Sequence, residues 1–211
     1  MLLYDHPTAP SPRRVRIFLA EKGRDVPRQV VDLGAREQHG DAHRRRYPAS
    51  TVPVLELDDG TCIGESMAIC RYLEATWPDP PLLGNGPKEQ GLIEMWNRRI
   101  EMELYLPVAD ALRNRSPRFE GRALAGFASG VEQIPALAKR GQVVLDRLLD
   151  HLAPRLAEPT AFVVGARFAM PDIWLLTTVD FAERVGVPLV QGRPWLQAWH
   201  ERASARPSAR A

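Results

Sequence analysis

The segment from Ser50 to Leu73, STVPVLELDDGTCIGESMAICRYL, constrains the fold more than any other part of this 211-residue chain. It places a Val52-Pro53 step before a short apolar run, and the Asp59-Gly60 pair that follows favours a tight hairpin turn. Proline donates no hydrogen bond to a sheet ladder, so Pro53 marks a strand edge or a special turn. If the Val52-Pro53 bond is cis, the N–H and C=O of Val52 face outward and can pair with an extended peptide.

The same segment continues into a helix that begins at Glu65-Ser66. The first N–H groups of a helix have no intrahelical acceptor, and together with the Ser66 hydroxyl they suit a carboxylate. Each feature taken singly also fits an ordinary hairpin followed by a capped helix. Their order and spacing together favour a peptide-binding edge next to an anion site.

This combination resembles the glutathione transferase family (cytosolic type), and the resemblance covers nearly the whole chain. It implies an α/β N-terminal thioredoxin-like domain followed by an all-α C-terminal helical domain. It also implies that Val52 pairs with the cysteinyl backbone of glutathione, while Pro53 shapes the loop. By the same resemblance, Glu65 and Ser66 bind the γ-glutamyl carboxylate.

The periodicity of the chain predicts elements that agree with this fold. The first part alternates strand and helix, in the order Leu2–Tyr4, Pro12–Lys22, Gln29–Leu33, Asp41–Tyr47 (a short helix), Val54–Leu57 with Thr61–Ile63 (a hairpin) and Ser66–Trp77. A cluster of Pro and Gly then predicts a linker at 78–87, between a glutathione-binding domain at 1–77 and a helical domain at 88–211.

Four features of the second part yield further predictions. Lys88–Asn114 is predicted to be one long helix kinked at Pro107. Pro171–Val185 is apolar almost all round, as a central buried helix should be. Asp172 is predicted to help start that helix, although Ala169 stands at the cap position where the family has Ser or Thr. We expect the Ala/Ser/Arg tail after Arg202 to be mobile.

The motifs above do not assign the group that activates the thiol of glutathione. A free thiol has a pKa of about 8.5, so an enzyme gains by stabilising the thiolate. Family members use Tyr, Ser or Cys just after the first strand, but Ala9 stands where Ser or Cys is often found. Ser11 is therefore our catalytic candidate, and we expect Tyr4 to belong to the core or the pocket wall.

Three hypotheses for this step stay open. Ser11, or the N-terminal amides of its helix, stabilises the thiolate. Alternatively, the chain resembles the atypical bacterial and fungal members that lack the usual Tyr, Ser or Cys, in which a water held by side chains of the second domain acts. In the third hypothesis the thiolate is poorly activated and the protein mainly binds ligands.

Other positions are assigned by the same resemblance. Gln38 and His39 are expected to hold the glycyl carboxylate of glutathione, the alternative being a solvated loop. Arg44–Arg46 reads as a solvated face. His39 and His43 have no third ligand, so we expect no metal. The pocket for the electrophile is expected to combine the Pro10-Ser11 loop with residues of the long helix, with candidates Met95, Arg98, Met102, Tyr105 and Leu112.

Composition excludes several classes of function. A net charge of +2 is too small to indicate a nucleic-acid partner, and no apolar run approaches the ~18 residues of a membrane span. Without a secretory signal, a cytoplasmic location is expected. Cys62 and Cys70 form no Cys-x-x-Cys motif and are expected to be small core hydrophobes.

The predicted function is conjugation of glutathione, as co-substrate, to a hydrophobic electrophile, with glutathione peroxidase activity as a further possibility. A homodimer is expected, in which Glu101 reaches the glutathione of the partner subunit. The alternative is a non-catalytic glutathione-fold module for ligand binding or assembly. A specialised isomerase or dehalogenase is a third hypothesis, for which the sequence offers no dedicated nucleophile.

Overall fold

A computed structural model describes all residues, from Met1 to Ala211. The strands are β1 (Leu2–Asp5), β2 (Arg28–Val30), β3 (Val54–Glu56) and β4 (Cys62–Gly64). The α-helices are α1 (Pro10–Glu21), α2 (Asp41–Arg46), α3 (Ser66–Thr76), α4 (Gly86–Ile100), α5 (Leu106–Arg115), α6 (Pro135–Leu156), α7 (Met170–Arg184) and α8 (Pro194–Ser204). Short 3₁₀ turns lie at Glu37–His39, Pro117–Phe119 and Pro207–Arg210.

The four strands form one mixed sheet in the order β2-β1-β3-β4. β1 is parallel to β2, with Tyr4 opposite Gln29, and antiparallel to β3, with Tyr4 opposite Val54. β3 and β4 form the predicted hairpin, with Leu55 opposite Ile63. A small mixed sheet with helices, followed by a helical remainder, confirms the predicted fold class.

The Val52-Pro53 bond is cis, as the prediction for Val52 required. β3 begins only at Val54, so Val52 lies just outside the sheet ladder. Its backbone N–H and C=O have no hydrogen-bond partner within the chain. This edge of the sheet therefore keeps one donor and one acceptor available. A second cis bond, Asp79-Pro80, was not anticipated.

One hydrophobic core runs through both parts of the molecule. Leu3, Phe18 and Leu73 of the first part and Trp174 and Val179 of α7 belong to the same buried cluster. Helix α7 packs against both α1 and α4. The prediction of a central buried helix is confirmed, and the sheet-bearing part is joined to the helical part by shared apolar burial.

The start of α7 is held by Asp172 in place of a capping hydroxyl. The Asp172 carboxylate accepts hydrogen bonds from the N–H of Ala169, at 3.1 Å, and from the N–H of Val163, at 2.9 Å. Burial raises the pKa of Asp172 to about 7, and the two N–H donors offset only part of that shift. The predicted role of Asp172 in starting the helix is confirmed.

The long helix of the second part is interrupted where we predicted only a kink. Between α4 and α5 the residues Glu101–Tyr105 form a π-helical turn. Pro107 has no N–H to donate to the carbonyl of Glu103, and its ring crowds that carbonyl, so the preceding turn widens. The disturbance thus lies one turn before the proline.

The C-terminal tail is ordered, so the prediction of a mobile tail is wrong. The Glu21 carboxylate accepts hydrogen bonds from Arg206, at 2.7 and 2.8 Å, and from the Ser208 hydroxyl. Arg13 also donates to the carbonyl of Ala209 at 2.9 Å. Composition suggested mobility, but these polar contacts attach the tail to α1.

Two remaining features concern the cysteines and the helices. Cys70 is buried in the core and Cys62 lies on β4, partly exposed, and both are free thiols. Burial raises the pKa of the Cys70 thiol. None of the helices combines the length and the apolar composition needed to span a bilayer.

Candidate functional site

A cleft of about 690 Å³ lies between one end of the sheet and the helices α4 and α5. Its walls include every residue to which the sequence assigned a role in catalysis or glutathione binding, namely Ser11, Gln38, His39, Val52, Pro53, Glu65 and Ser66. These residues come from four separate loops and helix starts. The fold therefore brings the predicted site together in one cavity.

The helical wall of the cleft agrees only in part with the prediction. Arg98, Tyr105 and Leu112 line it. Met95 and Met102 do not, because their side chains turn to solvent, with 44% and 53% of their surface exposed. The pocket assignment of these two methionines is wrong.

The start of α3 forms one end of the cleft. The N–H groups of Ser66, Met67 and Ala68 have no acceptor within the chain, and no side chain caps the helix. Glu65 precedes them with φ of 62°, a left-handed value that is uncommon outside glycine. Unpaired N–H groups and the positive end of the helix dipole favour an anion here.

Tyr47 holds Glu65 in place, a contact that no local sequence pattern predicts. Its hydroxyl donates to Glu65 Oε1 at 2.9 Å. Burial and this hydrogen bond raise the pKa of Tyr47 to about 12, so it stays a donor. The Tyr47 ring lies directly over Gly64, where a Cβ atom would approach the ring to 2.2 Å. Gly64 is therefore required for this arrangement.

Arg14 is a deeply buried cation of the cleft, with 1% of its surface exposed. Its guanidinium carbon lies 3.4 Å from the Trp174 ring centroid and 4.2 Å from the Tyr105 ring centroid. Its Nη1 donates to the hydroxyls of Ser11, at 3.1 Å, and Ser66, at 3.3 Å. No carboxylate hydrogen-bonds to this guanidinium, and its Nε and Nη2 have no partner within the chain. Burial lowers the pKa of Arg14.

Ser11 stands at the start of α1 between Arg14 and Tyr105. Its Oγ lies 3.3 Å from the Tyr105 hydroxyl oxygen. Pro10 and Pro12 have no N–H, and the N–H of Ala9 donates to the carbonyl of His6 at 3.3 Å. In the first turn of α1, only Ser11 therefore offers an unpaired N–H, next to its own hydroxyl.

The other proposed peptide contacts lie on the 3₁₀ turn Glu37–His39. Gln38 and His39 are both partly buried at the cleft wall, and the Gln38 Oε1 has no partner within the chain. Burial, followed by the nearby arginines, lowers the pKa of His39. Arg44 and Arg45 are exposed and do not line the cleft, in agreement with a solvated face, but Arg46 is only partly exposed and its Nε donates to the Glu56 carboxylate at 3.1 Å.

Two of the other sequence-based assignments concern His43 and Tyr4. His43 is buried, and its Nε2 lies 2.8 Å from the carbonyl oxygen of Thr51. No group of three or more His, Cys, Asp or Glu side chains is arranged to hold a metal ion. Tyr4 belongs to a small apolar cluster of the sheet, as predicted, and its hydroxyl donates to Glu56.

A basic and aromatic segment, to which the sequence analysis assigned no role, closes the cleft on its helical side. It comprises the end of α5 and the loop that follows, with Arg113, Arg118, Phe119, Arg122 and Phe127 lining the cavity. On α4 the buried Asn97 also lines it, and both polar atoms of its side chain have no partner within the chain. Such residues could be recognised only once the helices were in place.

Comparison with known proteins gives a consistent result. The family model described as glutathione S-transferase, N-terminal domain, matches residues 8–76, and that described as glutathione S-transferase, C-terminal domain, matches residues 118–207. Glutathione S-transferase 2 of Saccharomyces cerevisiae is 35% identical, over 100% of this chain and 88% of that protein.

Two further relatives extend this result. The crystal structure of a glutathione S-transferase domain-containing protein from Marinobacter aquaeolei superimposes with a TM-score of 0.88 at 36% identity, covering 99% of each chain. Maleylacetoacetate isomerase of Rhizobium meliloti is 31% identical, over 89% of this chain and 84% of that protein. Because both family models match and one relative aligns over the full length of this chain, the chain belongs to the glutathione S-transferase family.

Proposed function

We propose that this protein binds glutathione along the Val52 edge of the cleft and transfers its thiolate to an electrophile held by the helical wall. The observation that supports this most is the pairing of two features in one cavity. The unpaired N–H and C=O of Val52 lie in the same cleft as the unpaired N–H groups at the start of α3. An extended peptide with an anionic end needs both.

The charges of the cleft support a specific orientation of glutathione. Ser66 accepts a hydrogen bond from Arg14, so its own O–H is free to donate to the γ-glutamyl carboxylate. Glu65 carries a negative charge and suits the neighbouring α-ammonium group better than the carboxylate. Gln38 and His39 serve the glycyl carboxylate at the other end, and Pro53 shapes the loop between them.

The thiol group comes near Ser11 in this orientation. Because Arg14 donates to the Ser11 oxygen, the hydroxyl proton of Ser11 is available for the sulfur. A hydrogen bond donated to the sulfur favours the thiolate over the thiol. Ser11 also brings the unpaired N–H of the first turn, so the hydroxyl and the helix-amide hypotheses converge on one residue.

We further propose a glutathione-binding domain at 1–77, a linker at 78–87 and a helical domain at 88–211, assembled as a homodimer. Met95, Met102 and Leu106 are 44%, 53% and 45% exposed along α4, the π turn and α5. Exposed apolar side chains in one region support burial against a second copy. Glu101, which forms an ion pair with Arg98 at 2.5 Å, lies in the same region. Sedimentation velocity measures this directly.

Calorimetric titration with glutathione tests the binding half of the proposal. The Glu65→Ala variant should bind about 10-fold more weakly or worse, because a charged hydrogen bond is lost. The matched Glu158→Ala variant, at an exposed site outside the cleft, should bind as the unchanged protein does. No uptake of glutathione by the unchanged protein would overturn the proposal.

Turnover of 1-chloro-2,4-dinitrobenzene tests the transfer half. Binding of glutathione without turnover of this or other electrophiles would favour the second candidate, a non-catalytic ligand-binding module. Ala9 supports that candidate, because it lines the cleft without the hydroxyl or thiol that the family usually carries there. Reduction of cumene hydroperoxide, measured in parallel, tests the peroxidase activity.

A further inference from the structure

Three arginines at the mouth of the cleft have no acidic partner. Arg113 lies in the last turn of α5, and Arg118 and Arg122 lie in the segment that follows; we call these three residues the arginine rim. All line the cleft. No member of the rim forms an ion pair, although thirteen ion pairs occur elsewhere in the chain. The rim is therefore an uncompensated positive charge in a cavity.

The rim is built around an aromatic ring. The guanidinium carbons of Arg113 and Arg122 lie 4.7 and 5.4 Å from the centroid of the Phe119 ring. Nη2 of Arg122 donates to the carbonyl of Arg118 at 2.6 Å. The side-chain amide of Gln133 donates to the carbonyl of Arg113 at 2.6 Å. Stacking and backbone contacts thus hold the two cations beside an apolar surface.

The carboxylates of the cleft do not neutralise the rim, because each has its own partner. Glu65 accepts from Tyr47, Glu94 pairs with Arg71 and Glu101 pairs with Arg98. Asp110 interacts with the charges of Arg113 and Arg140 without forming an ion pair, and burial raises its pKa. Burial and the charge of Arg122 lower the pKa of Arg113, and burial and the charges of Arg36 and Arg118 lower the pKa of Arg122. A bound anion would offset this repulsion between cations.

The two ends of the rim face different parts of the cleft. Arg122 is close enough to His39 to influence its pKa, so it lies toward the proposed glycyl end of glutathione. The pKa of Arg113 is influenced by Tyr105 and Asp110, on the helical side, as well as by Arg122. The carboxylates of glutathione already have proposed partners at the start of α3 and at Gln38-His39. Arg113 with Phe119 is left for the other substrate.

We propose that the electrophile is an amphiphilic anion, in which a carboxylate binds Arg113 while an aromatic or unsaturated body packs on Phe119. This inference rests on the proposed function and specifies its substrate class. A neutral apolar electrophile would leave the guanidinium of Arg113 desolvated without compensation, whereas a carboxylate can bind it in bidentate geometry.

A matched pair of electrophiles tests this preference, namely 4-chloro-3,5-dinitrobenzoate and 4-chloro-3,5-dinitrobenzamide. In both reactions the thiolate sulfur forms a bond to the ring carbon, chloride leaves with the electron pair of the C–Cl bond, and the thiol proton goes to solvent. We would measure kcat/KM at saturating glutathione and divide it by the uncatalysed rate constant. The unchanged protein should accelerate the benzoate about 10-fold more than the benzamide, as a charged hydrogen bond predicts.

Substitution of the rim then separates its role from that of the glutathione site. Arg113→Gln should remove most of the preference for the benzoate while leaving the KM for glutathione unchanged. Arg45→Gln, at an exposed site outside the cleft, is the matched control. Equal acceleration of the two electrophiles, or a raised KM for glutathione in Arg113→Gln, would overturn the inference.

Binding of the two reaction products tests the same subsite without turnover. The glutathione conjugate of the benzoate should bind about 10-fold more tightly than that of the benzamide, and Arg113→Gln should abolish the difference. If both conjugates bind equally, the inference fails while glutathione binding stands. If neither conjugate nor glutathione binds, the proposed function itself fails.

Discussion

The guanidinium of Arg14 lies 3.4 Å from the centroid of the Trp174 ring, so α1 and α7 meet at a buried charge. The aromatic face attracts the cation but cannot replace the hydrogen bonds that water would provide. The Nη1 bonds to Ser11 and Ser66 are the only hydrogen bonds that the guanidinium makes within the chain. A buried charge with so few partners serves binding better than it serves stability.

Replacing Arg14 should therefore separate stability from function. In Arg14→Met, the free energy of unfolding should stay equal or rise, because the cost of burying the charge disappears. Affinity for glutathione should fall about 10- to 100-fold, because Ser11 and Ser66 lose their common donor. Urea unfolding and calorimetry measure the two quantities. A loss of stability together with unchanged affinity would contradict this account, and Arg140→Met is the control.

Removing the Ser11 hydroxyl should affect the sulfur more than the binding of the peptide. In Ser11→Ala, the pKa of the bound glutathione thiol should rise by about one unit and kcat should fall about 10-fold or more, because a donor to the thiolate is lost. The ultraviolet absorbance of the thiolate as a function of pH reports the pKa. Ser129→Ala, at an exposed position outside the cleft lining, is the control. An unchanged kcat would leave the water hypothesis in place.

A methyl group at residue 64 should disturb the cleft through Tyr47. In Gly64→Ala the new Cβ would lie 2.2 Å from the Tyr47 ring, so the ring must move away from Glu65. We expect a loss of about 1–3 kcal/mol in unfolding free energy, as for other overpacked sites, and weaker glutathione binding. Gly91→Ala in α4 meets no atom within 4 Å and should instead stabilise the helix by about 0.5–1 kcal/mol. Equal effects of the two substitutions would refute this explanation.

The pKa of Asp172 predicts how stability depends on pH. Its folded-state pKa of about 7 lies above the ordinary value of 3.8, so the folded protein binds the proton more tightly than the unfolded chain. This contribution to stability is present at about pH 4 and is lost as the pH rises through about 7. Asp172→Asn should remove it.

Urea unfolding of the two proteins at acidic and at slightly alkaline pH measures this effect. The stability advantage of the unchanged protein over Asp172→Asn should shrink by about 2–4 kcal/mol between these conditions. Asp150→Asn on the exposed surface of α6 is the matched control. If the stability advantage of the unchanged protein over Asp172→Asn grew with pH, the inferred direction of the Asp172 pKa shift would be wrong.

The sequence predicted those parts of the fold and the site that depend on neighbouring residues. The hairpin, the start of α3 and the Val52-Pro53 step are local patterns, and all lie where expected. Arg14 and Tyr47 were missed because their roles depend on partners distant in the sequence. Nothing near Arg14 indicates that Trp174 will lie over it, and three arginines occur within four residues of the chain.

Dependence on residues distant in the sequence also explains the two wrong predictions, which concern the C-terminal tail and two methionines. Composition suggested a mobile tail, but Glu21 on α1 holds Arg206 and Ser208. Met95 and Met102 lie on the helix that lines the cleft, and the sequence alone did not show that they face away from it. Helical periodicity gives relative positions on a helix but not the direction in which the cavity lies.

Because one continuous core joins α1, α3 and α7, neither half of the molecule should fold stably on its own. A fragment ending near residue 77 would expose the apolar face of α1 that α7 covers. The complementary fragment would contain Trp174 without the Arg14 guanidinium that lies over its ring. Exchanging the second half between relatives should therefore succeed only where the apolar side chains that pack between the two halves are compatible. Residues 113–127 lie outside this shared apolar core, but a Cβ at Gly126 would lie 2.3 Å from the carbonyl oxygen of Ala49, so substitutions there are also limited by the first half of the chain.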